Sequence, residues 1–262
     1  MVSVGGMEAM TRFGFAARGV MYFLIGFLAI RSGRTEDGAG AMQFLQGGAG
    51  KFVLIAMAVG FLGYGIWRLS EAAMDTENHG GDAKGMAVRG GGAVSGVLHF
   101  FLAYIAAKLA FGTGGGSGGG GTQEGAATAL GLPGGQIVLA AVAAALAAVG
   151  AYQLIKAAKA SFTRTLDPEA SRKPWVVALG RAGYAARGIV FLLMGWFFFG
   201  AARDDRASEA GGIAEVLDSL PSTAQLVVAA GLLLFGCFSL VEARYRRIAD
   251  PAVLARLKQA AS

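Results

Sequence analysis

Two arginines stand where a membrane span should tolerate none. "RFGFAARGV" at 12–20 and "RAGYAARGI" at 181–189 place Arg18 and Arg187 six residues beyond Arg12 and Arg181, inside apolar runs. Six helical residues rise about 9 Å, and a charge at the bilayer centre costs roughly 2.5–3.5 kcal/mol on insertion scales, less toward the interface. Each arginine also lies toward the positive, N-terminal end of its helix dipole. Chemistry that compensates is an ion pair, and Glu71 and Glu242 occupy matching places at the end of the following apolar run. Where Ser95 replaces the arginine, Lys156 replaces the glutamate, so the two positions change together. The expected pairs are Arg18 with Glu71 and Arg187 with Glu242, near one end of each two-helix unit; the same groups could also pair between neighbouring units. The competing reading is snorkelling, with helical side chains leaning toward the N-terminus and their stems covering apolar surface.

His99 is the one ionisable group near the middle of a span, which makes it a candidate for function. Its plainer reading is a packing histidine hydrogen-bonded to a neighbouring helix. Haem ligation needs a second axial ligand, and the other histidine, His79, sits in a polar segment. Cys237 is the only cysteine, so neither an intrachain disulfide nor a multi-cysteine metal site is available. "GTGGGSGGGG" at 112–121 has no G-K-[ST] ending and no preceding strand, and reads as a flexible linker and not as a phosphate loop. No triad, paired carboxylates, metal site or cofactor site emerges. The expectation is a protein that is not an enzyme, with Ser95 and Ser239 the residual intramembrane nucleophile candidates.

The elements that must position these residues are membrane helices. The chain of 262 residues is 55% hydrophobic and 15% charged, against about 25% charged in soluble domains; its mean hydropathy is +0.54. Six apolar stretches, near 13–30, 52–70, 92–109, 137–155, 183–201 and 224–241, approach the roughly 20 residues needed to cross the bilayer. The first resembles a signal peptide, but no A-x-A-like site follows and its pattern returns in the fifth, so it is expected to be retained. The net charge of +6 is spread between apolar runs and forms no nucleic-acid patch. Of the lysines and arginines, 17 fall with the termini and the even loops and 6 in the opposite loops. The positive-inside rule then places both termini in the cytoplasm.

Self-similarity organises the chain further. Without a gap, spans one, three and five align Arg12, Arg89 and Arg181, then Gly19, Gly96 and Gly188, then Gly26, Ala103 and Gly195, and an aromatic column of Phe27, Tyr104 and Trp196. Spans two, four and six share "GIWRLSEA", "GAYQLIKA" and "GCFSLVEA"; the opposite loops share "GAMQFL", "GAATAL" and "GIAEVL". The unit is a membrane helix, a short outer helix and a membrane helix, present at 1–88, 89–172 and 173–262. Two crossings return each unit to its starting side, so the three are parallel repeats, with a pseudo-threefold arrangement if they pack as a ring. Glycines seven apart share one helix face, suiting either close helix packing or a glycine-lined pore. A short cytoplasmic helix is expected after Asp250 and Pro251.

Tandem two-helix units opening on "R-x-G-x-A-A-R-G" resemble the bacterial membrane proteins of domain of unknown function 1206, typically in three copies. The resemblance runs from Arg12 to about Arg247; the middle unit departs from it, reading "RGGGAVSGV". It implies an all-α protein of six membrane helices and carries no activity with it. Two functions follow. One is a non-enzymatic structural or accessory protein whose helices and basic rim, including "TRTLDPEASRKP" and "EARYRRI", meet lipids or a membrane-protein partner. The other is a small channel or transporter along the threefold axis, with Arg12, Arg89 and Arg181 as an anion-favouring ring. Oligomeric state and substrate are not encoded in any motif.

Overall fold

Among the described residues ten α-helices form, six of them long because their apolar runs are rich in helix-favouring alanine and leucine. In the computed structural model, which describes residues 4–75, 79–112 and 121–247, the membrane helices are α1 (Val4–Ser32), α3 (Gly50–Met74), α4 (Ala83–Ala110), α6 (Gly135–Ala158), α8 (Pro174–Asp204) and α10 (Ser222–Tyr245). All six are long and apolar enough to cross a membrane. Between them lie α2 (Gly38–Gln43), α5 (Gly121–Leu130), α7 (Pro168–Ser171) and α9 (Ile213–Ser219). The short helices α2, α5 and α9 fall on the three loop motifs. Most of the glycine run and the segment after Asp250 lie outside the described residues.

Local chemistry sets the boundaries. Asp37 and Asp82 cap α2 and α4, accepting the amides of Gly40 and Gly85 at 2.8 Å. Gly212 donates to Glu215 Oε2 at 2.7 Å at the start of α9, and Pro174 opens α8. Asp75 stops α3 in the left-handed conformation, φ 50°. Its carboxylate accepts the His79 and Gly80 amides at 2.7 and 2.9 Å. The Gly80 and His79 bonds hold that carboxyl below its ordinary value, because they favour the charged form.

The helices pack as a row in the order α4, α3, α1, α10, α8, α6. Three seams join different repeats: α1 against α10, α4 against α3, and α8 against α6. Two further contacts lie within a repeat, α1 on α3 and α8 on α10. Among the described residues α4 and α6 of repeat two form no comparable seam. In repeats one and three the internal contact rests on paired small residues: a Cβ on Gly14 would meet Tyr64 and one on Gly60 would meet Phe13 and Ala17. Likewise Gly183 lies against Phe235 and Gly231 against Ala186. The matching Gly91 of α4 has open space, and Ala145 of α6 is exposed. One column shows the break plainly: Ala17 and Ala186 are 4% and 6% exposed, whereas Val94 is 62% exposed. The row is therefore open between α4 and α6, and a closed ring is not formed.

Buried aromatic and aliphatic side chains of α1, α3, α8 and α10 make most of the main core, with Phe61, Phe235 and Phe238 fully enclosed beside Phe162 from the turn Ser161–Thr165. The outer faces stay apolar and exposed, as lipid contact requires. From the aromatic column, Tyr104 and Trp196 point outward at 62% and 66% exposure, where amphipathic rings suit a membrane interface.

Candidate functional site: the charged seams between repeats

Each inter-repeat seam is built to one plan. The first helix of a repeat runs antiparallel to the second helix of the repeat before it, with repeat one following repeat three. At the end carrying both described ends of the chain, the aligned arginines reach across. Arg12 Nη1 donates to the carbonyls of Ala243 and Arg244 at 3.0 and 2.7 Å. Arg89 Nε and Nη2 donate to those of Ala72 and Ala73 at 2.8 and 3.2 Å, and Arg181 Nη2 to that of Ala158 at 3.5 Å. The last carbonyls of a helix lack intrahelical donors and carry its negative dipole end, so a guanidinium there caps the neighbour.

Seven residues deeper the backbones touch. A Cβ on Gly19 would stand 3.0 Å from the Gly236 carbonyl, one on Gly96 3.1 Å from that of Gly65, and one on Gly188 3.0 Å from that of Gly150. The reverse contacts are as close. A turn or two on, Gly26 lies against Ala229 and Leu233, Gly195 against Ala143 and Ala147, and Ala103 is buried. The small-residue columns thus line seams between repeats.

Between cap and crossing sit the buried charges. Arg18 is 6% exposed and pairs with Glu242 of repeat three, Nη2 to Oε2 2.5 Å, instead of with Glu71. It also donates to Ser239 Oγ and Tyr64 OH at 3.2 and 3.1 Å and lies over the rings of Phe15 and Phe235. The other oxygen of Glu242 accepts Arg246 at 2.9 Å. Arg187 does not meet Glu242; it donates to Tyr22 OH at 3.0 Å and to Gln153 Oε1 at 3.1 Å. Glu71 stands 3.8 Å from Arg68 and 3.4 Å from His79 Nε2. The pairs expected within hairpins are replaced because the Arg18 and Arg187 faces turn toward the neighbouring repeat, where the glycine crossing draws the backbones together.

The pattern resolves on a second column that spacing alone did not single out. Position four of the even-helix motif reads Arg68, Gln153 and Ser239. Opposite these across the seams stand Ser95, Arg187 and Arg18. At this level each seam so carries one arginine, on the α3 side in one case and on the first helix of the repeat in the other two. In the α3–α4 seam Gly92 replaces the aromatic seen at Phe15 and Tyr184, and a Cβ there would fall 2.9 Å from a Glu71 oxygen. The missing ring leaves room for the displaced charges.

His99 hydrogen-bonds within its own helix and not to a neighbour, Nδ1 lying 2.6 Å from the Ser95 carbonyl, while its ring packs on α3, 4.3 Å from Tyr64 and 5.8 Å from Phe61. A carbonyl only accepts, so Nδ1 carries the proton. Among the described residues no group of three or more His, Cys, Asp or Glu side chains is placed to hold a metal ion.

Six apolar helices, three like units and charges sequestered in the seams define a multi-pass helical membrane protein built by triplication. The chain belongs to the family of domain of unknown function 1206 (DUF1206), whose model matches residues 13–75, 90–160 and 182–246. It is similar to the uncharacterized protein YxxB of Bacillus subtilis (strain 168), 30% identical over 252 residues and 90% of each chain. No solved structure matches.

Proposed function

We propose that the protein is a non-enzymatic accessory component of a bacterial cytoplasmic membrane, with both termini in the cytoplasm, and that it admits lipid laterally between α4 and α6. The observation that carries this reading is the open row. Repeat two keeps the small residues Gly91 and Ala145 that fasten the other hairpins, yet leaves them apart. The faces so exposed, including Val94 and Leu98 on α4 and Val149 on α6, are apolar. In a bilayer such a cleft is filled by acyl chains, since no water is available there. The Arg12, Arg89 and Arg181 donors are engaged by helix-end carbonyls, which favours a packing role over an anion-selecting ring.

The test places a fluorophore at Val94→Cys or Ala145→Cys in a Cys237→Ser background and reconstitutes the protein with lipids brominated on the acyl chains. Strong quenching at both sites, against weak quenching at Glu169→Cys on the exposed, polar α7, is the expected result. Equal, weak quenching at all three would show a closed bundle and overturn the lipid cleft. Selective ion or solute flux in liposomes would instead favour the channel reading.

A further inference from the structure

The three seams differ in how their arginine is balanced. Arg18 meets Glu242, and Arg68 lies near Glu71. In the α6–α8 seam Lys156 occupies the carboxylate position, so Arg187 has no acid within ion-pairing distance among the described residues. Lys156 also has none; its Nζ lies 4.5 Å from the centroid of the Tyr184 ring. Gln153 adds a third donor. It is 3% exposed, and its Oε1 must face Arg187 because a guanidinium only donates. That leaves the buried Nε2 with no acceptor among the described residues. An orphaned buried donor is costly, and so is a guanidinium set inside an apolar span without an acid. Glu242 acts on Lys156 only beyond ion-pairing distance and is already paired with Arg18 and Arg246, so the α6–α8 seam offers donors and positive charge without an anion of its own.

Its position says how an anion arrives. Lys156 follows Ala145, Val149 and Tyr152 by eleven, seven and four residues, so all four share the α6 face that α4 leaves uncovered. Lys156 is two residues from the end of α6, on the side with the termini, and Gln153 is one turn deeper. A group entering between α4 and α6 on that side meets Lys156, and Arg187 lies one turn deeper at the level of Gln153, to which it is bonded at 3.1 Å.

We infer that Lys156, Arg187 and the Gln153 amide form a binding site for the phosphate of an anionic lipid headgroup whose chains lie in the α4–α6 cleft. A guanidinium and an ammonium match the geometry and charge of phosphate. The inference rests on the proposed lateral cleft and adds to it the site and the headgroup chemistry.

Native mass spectrometry of the full chain, extracted from nanodiscs of phosphatidylglycerol or of phosphatidylcholine, tests it. Retained phosphatidylglycerol should exceed phosphatidylcholine, and retention should fall about fivefold for each cation removed in Lys156→Gln and Arg187→Gln. Lys156→Glu restores the carboxylate that repeats one and three carry, so it should fold, melt higher and lose the lipid preference. Phosphatidylglycerol retained undiminished by Lys156→Glu overturns the site. So does inorganic phosphate that raises the melting temperature as far as phosphatidylglycerol does, which would assign the cations to a free anion. Quenching by brominated lipid that persists when the headgroup preference is absent leaves the cleft standing and rejects the headgroup site alone.

Discussion

At the scale of single residues, the balance of a buried charge decides cost. Arg18 and Glu242 are both nearly inaccessible; removing Glu242 leaves Arg18 desolvated without an acid, at about 3–5 kcal/mol, whereas removing Arg18 leaves Glu242 with Arg246 alone and opens the bonds to Ser239 and Tyr64. Arg18→Gln should lower the melting temperature sharply in detergent. A double-mutant cycle should give strong coupling of Arg18 to Glu242 and, for Arg18 with Glu71, a coupling within about 0.5 kcal/mol. Equal coupling to both acids would contradict the seam assignment. Asp75 offers a pH test. Its folded carboxyl is held below the ordinary value by the Gly80 and His79 amides. The stability it contributes is present above the unfolded value and fades as pH falls through the lower folded one. Amide-exchange protection at His79 and Gly80 should follow that course and be pH-independent in Asp75→Ala.

At the scale of elements, small residues set which helices meet. Gly19 and Gly236 bring α1 and α10 into backbone contact, so Gly19→Val forces a shift costing about 1–3 kcal/mol. Gly91→Val has open space to enter and should change stability by less than about 1 kcal/mol. A matching loss at both positions would mean α4 is packed on both faces. The repeat motif places Gly14, Gly91 and Gly183 in one column, but the partner of each depends on a second helix. That is why the column was legible in the sequence while its unequal use was not.

At the scale of the whole molecule, the packing unit differs from the sequence unit. Consecutive helices α3 and α4, and α6 and α8, meet across the boundaries between repeats, and α1 meets α10 to join the first repeat to the last. The middle hairpin, continuous in sequence, is apart in space. With Cys237 replaced, Val94→Cys should react readily with a membrane-permeant maleimide, while Ala17→Cys and Ala186→Cys should stay protected. Protection at all three would close the row.

Sequence by itself determined six crossings, three like-oriented copies and the short loop helices. Those properties follow from hydrophobic length, helix periodicity and internal repetition, which act along the chain. It also marked the arginines as charges in need of compensation. Which groups compensate them was decided only by tertiary structure: Arg18 finds Glu242, 224 residues away, and Arg187 finds a tyrosine and an amide. Pairing depends on which helix faces touch, and neighbouring helices in a bilayer all present apolar surface with no preference written in hydropathy. Close contact at glycine, the capping of one helix end by the next repeat's arginine and the gap left by α4 select the partners, and each needs two distant segments to be specified together.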